Sequence, residues 1–273
     1  VNLHSFFRKW FHNLKDSYIF DAAATLAFYF ILAIFPLMVC VLASVSFFRV
    51  NTYDVHQFIT SYVPGELGDM FGKIVLNTIG DPKTGLFSIG IIGTLWSASN
   101  AINAFIRSVN HAYKIEETRH FLHLRIIAII LTIGMILLIV LALALPVFGN
   151  VILLFLEDHL HLSKTVGDLL SSLRWVVTTL IICVVLSVLY KIAPNQPLRW
   201  YDGLAGALFA TASWQLISFL FSLYLSHFAH YENTYGPIAG VIVLMLWFYF
   251  TGMILIIGAK LNATFYQLRK KIA

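Results

Sequence analysis

Six stretches of this 273-residue chain contain no charged side chain, and each is closed by a charge at both ends. Asp21 to Arg49 encloses 27 residues, Lys83 to Arg107 encloses 23, and Arg125 to Glu157 encloses 31. Arg174 to Lys191 encloses 16, Asp202 to Glu232 encloses 29, and Glu232 to Lys260 encloses 27. A hydrocarbon core about 30 Å thick needs roughly 17–25 residues of helix, so five runs cross it outright. The fourth reaches that length if its helix starts ahead of Arg174, whose side chain then snorkels toward the headgroups. The runs are continuously apolar, whereas a membrane β-barrel alternates over strands of about ten residues. The expected fold is therefore all-α: a polytopic membrane bundle of six transmembrane helices, with interfacial amphipathic helices beside it.

Ahead of the first run, Leu3, Phe6, Phe7, Trp10, Phe11, Leu14 and Tyr18 recur at helical spacing, while Arg8, Lys9, His12 and Lys15 fall largely on other faces. An aromatic, basic helix of this kind settles in the membrane interface. Residues 1–20 are thus expected to form a cytoplasmic interfacial helix anchored by Phe6, Phe7, Trp10 and Phe11. The alternative is that the same stripe packs against the inner face of the bundle. Residues 21–260 form the transmembrane domain, and 261–273 a basic cytoplasmic tail. In the first loop, Leu67, Met70, Phe71, Ile74, Val75 and Thr78 mark a short amphipathic helix after Pro64-Gly65. Asp21 and Asp202 stand where they can cap the first and fifth helices.

Composition narrows the class further. Hydrophobic residues make up 59% of the chain and charged ones 11%, with mean hydropathy +0.83. Soluble domains carry about 25% charged residues, so a soluble enzyme, a disordered chain and a collagen-like fibre are excluded. Lysine and arginine then set orientation. Thirteen fall in the N-terminal segment, the second and fourth loops and the tail, and five in the other loops. Both termini are accordingly expected in the cytoplasm. The inner side carries net +8 and the outer side net −3, which implies attraction to anionic lipid on the cytoplasmic side and no nucleic-acid partner. The first run is too long for a cleaved signal h-region and reads as a signal anchor. Cys40 and Cys183 lie within spans as small apolar residues.

The spanning runs hold no Asp or Glu, which disfavours a carboxylate proton relay. On the second helix Asn100, Asn103, Arg107 and Asn110 follow a three-four-three spacing and share one face, preceded by Ser97 and Ser99. Amides facing lipid are costly, so this stripe should face protein or water. It either joins helices through hydrogen bonds or lines a substrate path open to the cytoplasm, with Arg107 placed to meet a phosphate or carboxylate. Pro36 should kink the first helix, and Pro146 lies in the third. Tyr235-Gly236-Pro237 opens the sixth. Gly236 and Gly240 form a GxxxG that permits a homo-oligomer. The pairs His120/His123, His159/His161 and His227/His230 match no metal-ligand frame, and no metal or other cofactor is expected.

Three blocks carry a resemblance. Ala24-Thr25-Leu26-Ala27-Phe28-Tyr29-Phe30 leading to Phe35-Pro36, Leu95-Trp96-Ser97-Ala98-Ser99-Asn100-Ala101-Ile102-Asn103, and Tyr235-Gly236 with Gly258-Ala259-Lys260-Leu261-Asn262-Ala263 resemble the YihY/BrkB family of bacterial inner-membrane proteins. The likeness runs from about residue 5 to 268. The family usually has Glu where this chain has Lys260, so no role of that carboxylate is carried over. The resemblance implies a multi-pass protein of the bacterial cell membrane. Some family members have been labelled ribonuclease BN, and others linked to serum resistance or export of envelope lipid. A ribonuclease needs an acid–base pair or metal-bound water beside bound RNA. The loop from Arg107 to Arg125 offers His111, Glu116, Glu117, His120 and His123 without a metal motif or folded module, so no enzyme is expected. Transport of a solute or amphiphilic lipid through a polar cavity remains, beside a non-transporting scaffold for envelope enzymes. The absence of a GxxxxGK loop leaves transport passive, ion-coupled or partner-driven.

Overall fold

The computed structural model describes Trp10 and residues 13–14, 16–45, 84–137, 164–228 and 232–270. Phe6, Phe7, Phe11, the expected first-loop helix, Pro146, His159, His161 and His230 lie outside the described residues. Among the described residues the regular elements are all helices, with no strand. It comprises α1 (Tyr18–Val45), α2 (Thr84–Tyr113), α3 (Phe121–Leu137), α4 (Lys164–Ile192), α5 (Leu204–Phe228) and α6 (Glu232–Lys270), with a 3₁₀ turn at Trp200–Asp202 before α5. Among the described residues, α1, α2, α5 and α6 are long and apolar enough to cross a membrane. The apolar stretches in α3 and α4, Phe121–Leu137 and Val176–Ile192, are shorter. Helix α4 begins at Lys164 and so extends back past Arg174.

Between helices in lipid, burial of apolar surface contributes little, and close packing and hydrogen bonds hold them together instead. The sequence supplies both. Half of the apolar window of α2 is buried, against 22% for α1, α5 and α6, which makes α2 the central helix. It presents Ala101, Ala104, Phe105, Ile106 and Val109 inward. Helix α1 lies along it, α6 packs on both, and α5 joins α6 to α4. The outward faces carry the larger apolar side chains: Ile89, Ile92 and Trp96 on α2, and Leu122, Ile126, Ile130, Ile133 and Leu137 on α3. Their spacing of three and four residues traces one apolar stripe along each helix.

Small residues bring the backbones together. A Cβ on Gly206 would run into the Gly258 carbonyl and the Asn262 amide. Asn262 is fully buried, accepts from the Gly206 N–H at 2.6 Å and donates to the Gly203 carbonyl at 3.1 Å. On the next helix face Tyr190, also buried, donates its phenol to the Leu255 carbonyl at 2.8 Å. Pro36 lies inside α1 without ending it and sets its ring against Gly93 of α2.

Neither expected cap sits where the sequence placed it. The carboxylate that meets the start of α1 is Asp16, whose Oδ1 accepts from the Tyr18 N–H at 3.1 Å, and Asp21 sits in the first turn. Asp202 accepts from the Arg199 N–H at 2.9 Å and so closes the 3₁₀ turn ahead of α5. The same carboxylate, almost fully buried, pairs with Arg269 near the end of α6.

Candidate functional site

The expected stripe on α2 divides in three. Asn100 accepts from Nη1 of Arg125 on α3 at 2.7 Å, and that guanidinium lies 4.0 Å above the Trp96 ring. Asn103, one turn on, is partly buried, and its Oδ1 is closed to water with no protein partner among the described residues. Ser97 is buried beside them, and Arg107 is exposed. Asn110 is 3% exposed and committed to the fold. Its Nδ2 donates to Glu117 at 2.7 Å and its Oδ1 accepts from the Asn195 N–H at 2.8 Å. Arg125, Glu117 and Asn195 come from other segments, so the spacing on α2 carried no signal for them.

Around Asn110 the turns at this end of the bundle are tied together. Helix α2 ends with Lys114 at φ 58°, and the Ile115 N–H returns to the Asn110 carbonyl at 3.0 Å. This is the left-handed closure that satisfies the last carbonyls of a helix. Arg119 places Nε and Nη2 on the two Glu117 oxygens, each at 2.7 Å, and also donates to the Ala193 carbonyl at 2.9 Å. Burial works against ionisation of Glu117, but the Arg119 fork and the Asn110 amide outweigh it and hold the carboxyl below its ordinary value.

A second tie joins the N-terminal segment to α6. Lys260, 4% exposed, donates to Asp16 at 2.6 Å and to the Asn13 carbonyl at 2.9 Å, while Asn13 donates to Thr264 at 3.1 Å. The bond from Lys260 depresses the Asp16 pKa. Trp10 packs edge-on against Phe209 and beside Leu261 and Leu268, on the inner face of α5 and α6. A basin of about 660 Å³ opens here, lined by Asn13, Asp16, His111, Lys114, Glu116 and Lys260 among others.

Deeper in the bundle the chemistry changes. A cavity of about 290 Å³ lies between α1, α3, α4, α5 and α6, walled by Phe30, Met135, Leu186, Trp214, Trp247 and other apolar side chains. The hydroxyl of Thr251, in its wall, is buried and has no hydrogen-bond partner among the described residues. A groove of about 500 Å³ between α5 and α6, lined by Ser218, Ser222, Gly240 and Val243, shares Trp247 with it. Trp214 and Trp247 meet there with ring centroids 6.0 Å apart. Among the described residues, no three His, Cys, Asp or Glu side chains converge to hold a metal ion.

The comparisons with known proteins cover nearly the whole chain. A family model described as virulence factor BrkB matches residues 10–272. The putative ribonuclease-like protein YfkH of Bacillus subtilis is 42% identical over 250 residues, covering 92% of this chain and 90% of that protein. A UPF0761 membrane protein of Chlorobium luteolum is 28% identical over 266 residues, covering 94% of this chain and 59% of its own. Another, from Tolumonas auensis, is 27% identical over 255 residues, covering 89% and 79%. No solved structure matches.

Proposed function

The chain belongs to the virulence factor BrkB family, and from that premise we propose that it moves an amphiphilic lipid across the bacterial cell membrane. In this reading all six helices cross the bilayer and both termini are cytoplasmic, in accord with thirteen basic residues on one side and five on the other. The observation that carries the proposal is the apolar cavity of about 290 Å³ bordered by five helices. Sites for small ligands have such volumes, lined by apolar and aromatic groups with few polar ones. A cavity with one spare hydroxyl suits an acyl chain and rejects a hydrophilic solute, whose polar groups would lose their hydration unpaired. The groove beyond Trp247 extends the path along α5 and α6. On α2, outside the walls of this cavity, Asn100, Asn103 and Arg107 with Ser97 are the polar groups proposed to meet a headgroup. No part of the proposal uses RNA cleavage: Asp16, Glu117 and Asp202 are each held in an ion pair that fixes a turn or a helix end.

The test fills the cavity. In reconstituted vesicles carrying a fluorescent lipid, Ala210→Phe and Val185→Phe should slow transbilayer transfer at least about fivefold while the purified protein stays folded. Overpacking of this kind typically costs about 1–3 kcal/mol of stability, so melting is followed in parallel. Unchanged transfer in a folded, filled variant would remove the basis for the proposal.

A further inference from the structure

Arg125 sits one turn into α3 and has no carboxylate partner among the described residues. Its Nη1 is taken by Asn100, a neutral acceptor. Its Nε and Nη2 are closed to water and meet no acceptor among the described residues. These two nitrogens form the edge of a guanidinium that grips two oxygens of an anion side by side. The protein itself shows that use, since Arg119 holds both Glu117 oxygens through the same pair of nitrogens at 2.7 Å. A guanidinium whose strongest donor edge is buried and unmatched is costly unless an anion meets it.

The surroundings say where that anion comes from. Trp96, stacked on the guanidinium, is 62% exposed on the apolar face of α2. Leu122 and Ile126, flanking Arg125 on α3, are 62% and 56% exposed. Arg125 therefore lies between two outward-facing apolar stripes and does not line the polar basin bounded by Asp16 and Lys260. For an anion to reach the edge the exposed Trp96 indole, which stacks on the guanidinium, is proposed to move aside. We infer that Arg125, oriented by Asn100 and roofed by Trp96, is a binding site for the phosphate of an anionic phospholipid. This rests on the reading of the chain as a lipid-handling bundle and names the headgroup chemistry that it recognises. Asn100 acts as a positioning residue, because its bond to Nη1 fixes the plane of the guanidinium and leaves the Nε/Nη2 edge for the anion.

The experiment is lipid retention by the purified full chain, read by native mass spectrometry with phosphatidylglycerol and phosphatidylcholine offered together. The wild type should keep phosphatidylglycerol preferentially. Arg125→Gln should weaken that retention about tenfold, the scale set by a lost charge-assisted hydrogen bond. Asn100→Ala should weaken it a few-fold. Lys270→Gln, which removes an exposed charge at the tail, should leave it unchanged. Arg125→Lys separates a fork from a diffuse positive field: it keeps the charge, and a fork still predicts a clear drop. Should Arg125→Gln fail to fold, the lysine variant decides alone. Equal retention by Arg125→Lys and wild type overturns the site. Displacement of the lipid by millimolar inorganic phosphate overturns the lipid source in favour of a free anion. Binding is read without transfer, so a protein that retains phosphatidylglycerol through Arg125 yet moves no lipid refutes the transport reading and leaves this site standing.

Discussion

Lys260 ties the N-terminal segment to α6 through a buried ammonium. Its ammonium is buried against Asp16, whose side chain is 35% exposed, and a hydrogen bond to the Asn13 carbonyl satisfies a second proton. Removing one partner of a buried pair costs about 3–5 kcal/mol, because the other charge is stranded. Lys260→Glu should therefore destabilise the protein by about that amount, by placing two carboxylates together. The double variant Asp16→Lys/Lys260→Glu should recover most of the loss, as read by thermal melting in detergent. Independent losses that simply add would mean that the pair is not coupled. The same pair sets a pH dependence. Asp16 and Glu117 both have folded pKa values below their ordinary 3.8 and 4.5. The unfolded chain thus binds more protons as pH falls, so their contribution is present above those ordinary values and is lost as pH drops through the folded ones. Asp16→Asn should flatten the acid limb of a stability profile below about pH 5. The pair was not legible in the sequence, where Lys260 appeared only as a departure and Asp16 as part of an interfacial segment. Contacts between residues 244 apart leave no local period to read.

The helices were far more legible, because a continuous apolar run and a spanning helix have the same cause. Charges mark where a run must stop but not where a helix begins. Hence α4 starts at Lys164, ahead of the charged Arg174, and Asp16 takes the place expected of Asp21 at the start of α1. The stripe on α2 was visible as a periodicity. What it meets was not, since Arg125, Glu117 and Asn195 come from α3 and two loops. Helix contacts, by contrast, can be tested one by one. Gly206→Ala should lower the melting temperature substantially, because the new methyl meets the Gly258 carbonyl and displaces Asn262 from two backbone bonds. Overpacking and loss of those bonds together amount to about 2–4 kcal/mol. Gly85→Ala, with nothing within 4 Å of the added carbon, is the matched control and should melt like the wild type. Similar losses at both positions would point to helix flexibility and not to close approach.

At the scale of the whole molecule, charge asymmetry yields a topology that can be measured. Reporter fusions after Lys15, Lys83, Glu117, Lys164, Pro197 and Ala273 should read in, out, in, out, in and in. An external C-terminus would contradict it. The molecule also contains one element out of proportion to the rest. Helix α6 has 39 residues, and at about 1.5 Å per residue it is nearly 60 Å long, about twice the hydrocarbon thickness. Its middle carries Trp247 and Thr251 in the apolar cavity wall, and its last turns carry Lys260 and Arg269, latched to Asp16 and Asp202. A rod of this length behaves as a lever. A small tilt at the cavity is magnified at the far end into a larger shift. On the proposed transport reading, such a shift would load the ion pairs anchored there and so couple the cavity to the turns that hold Asp16 and Asp202.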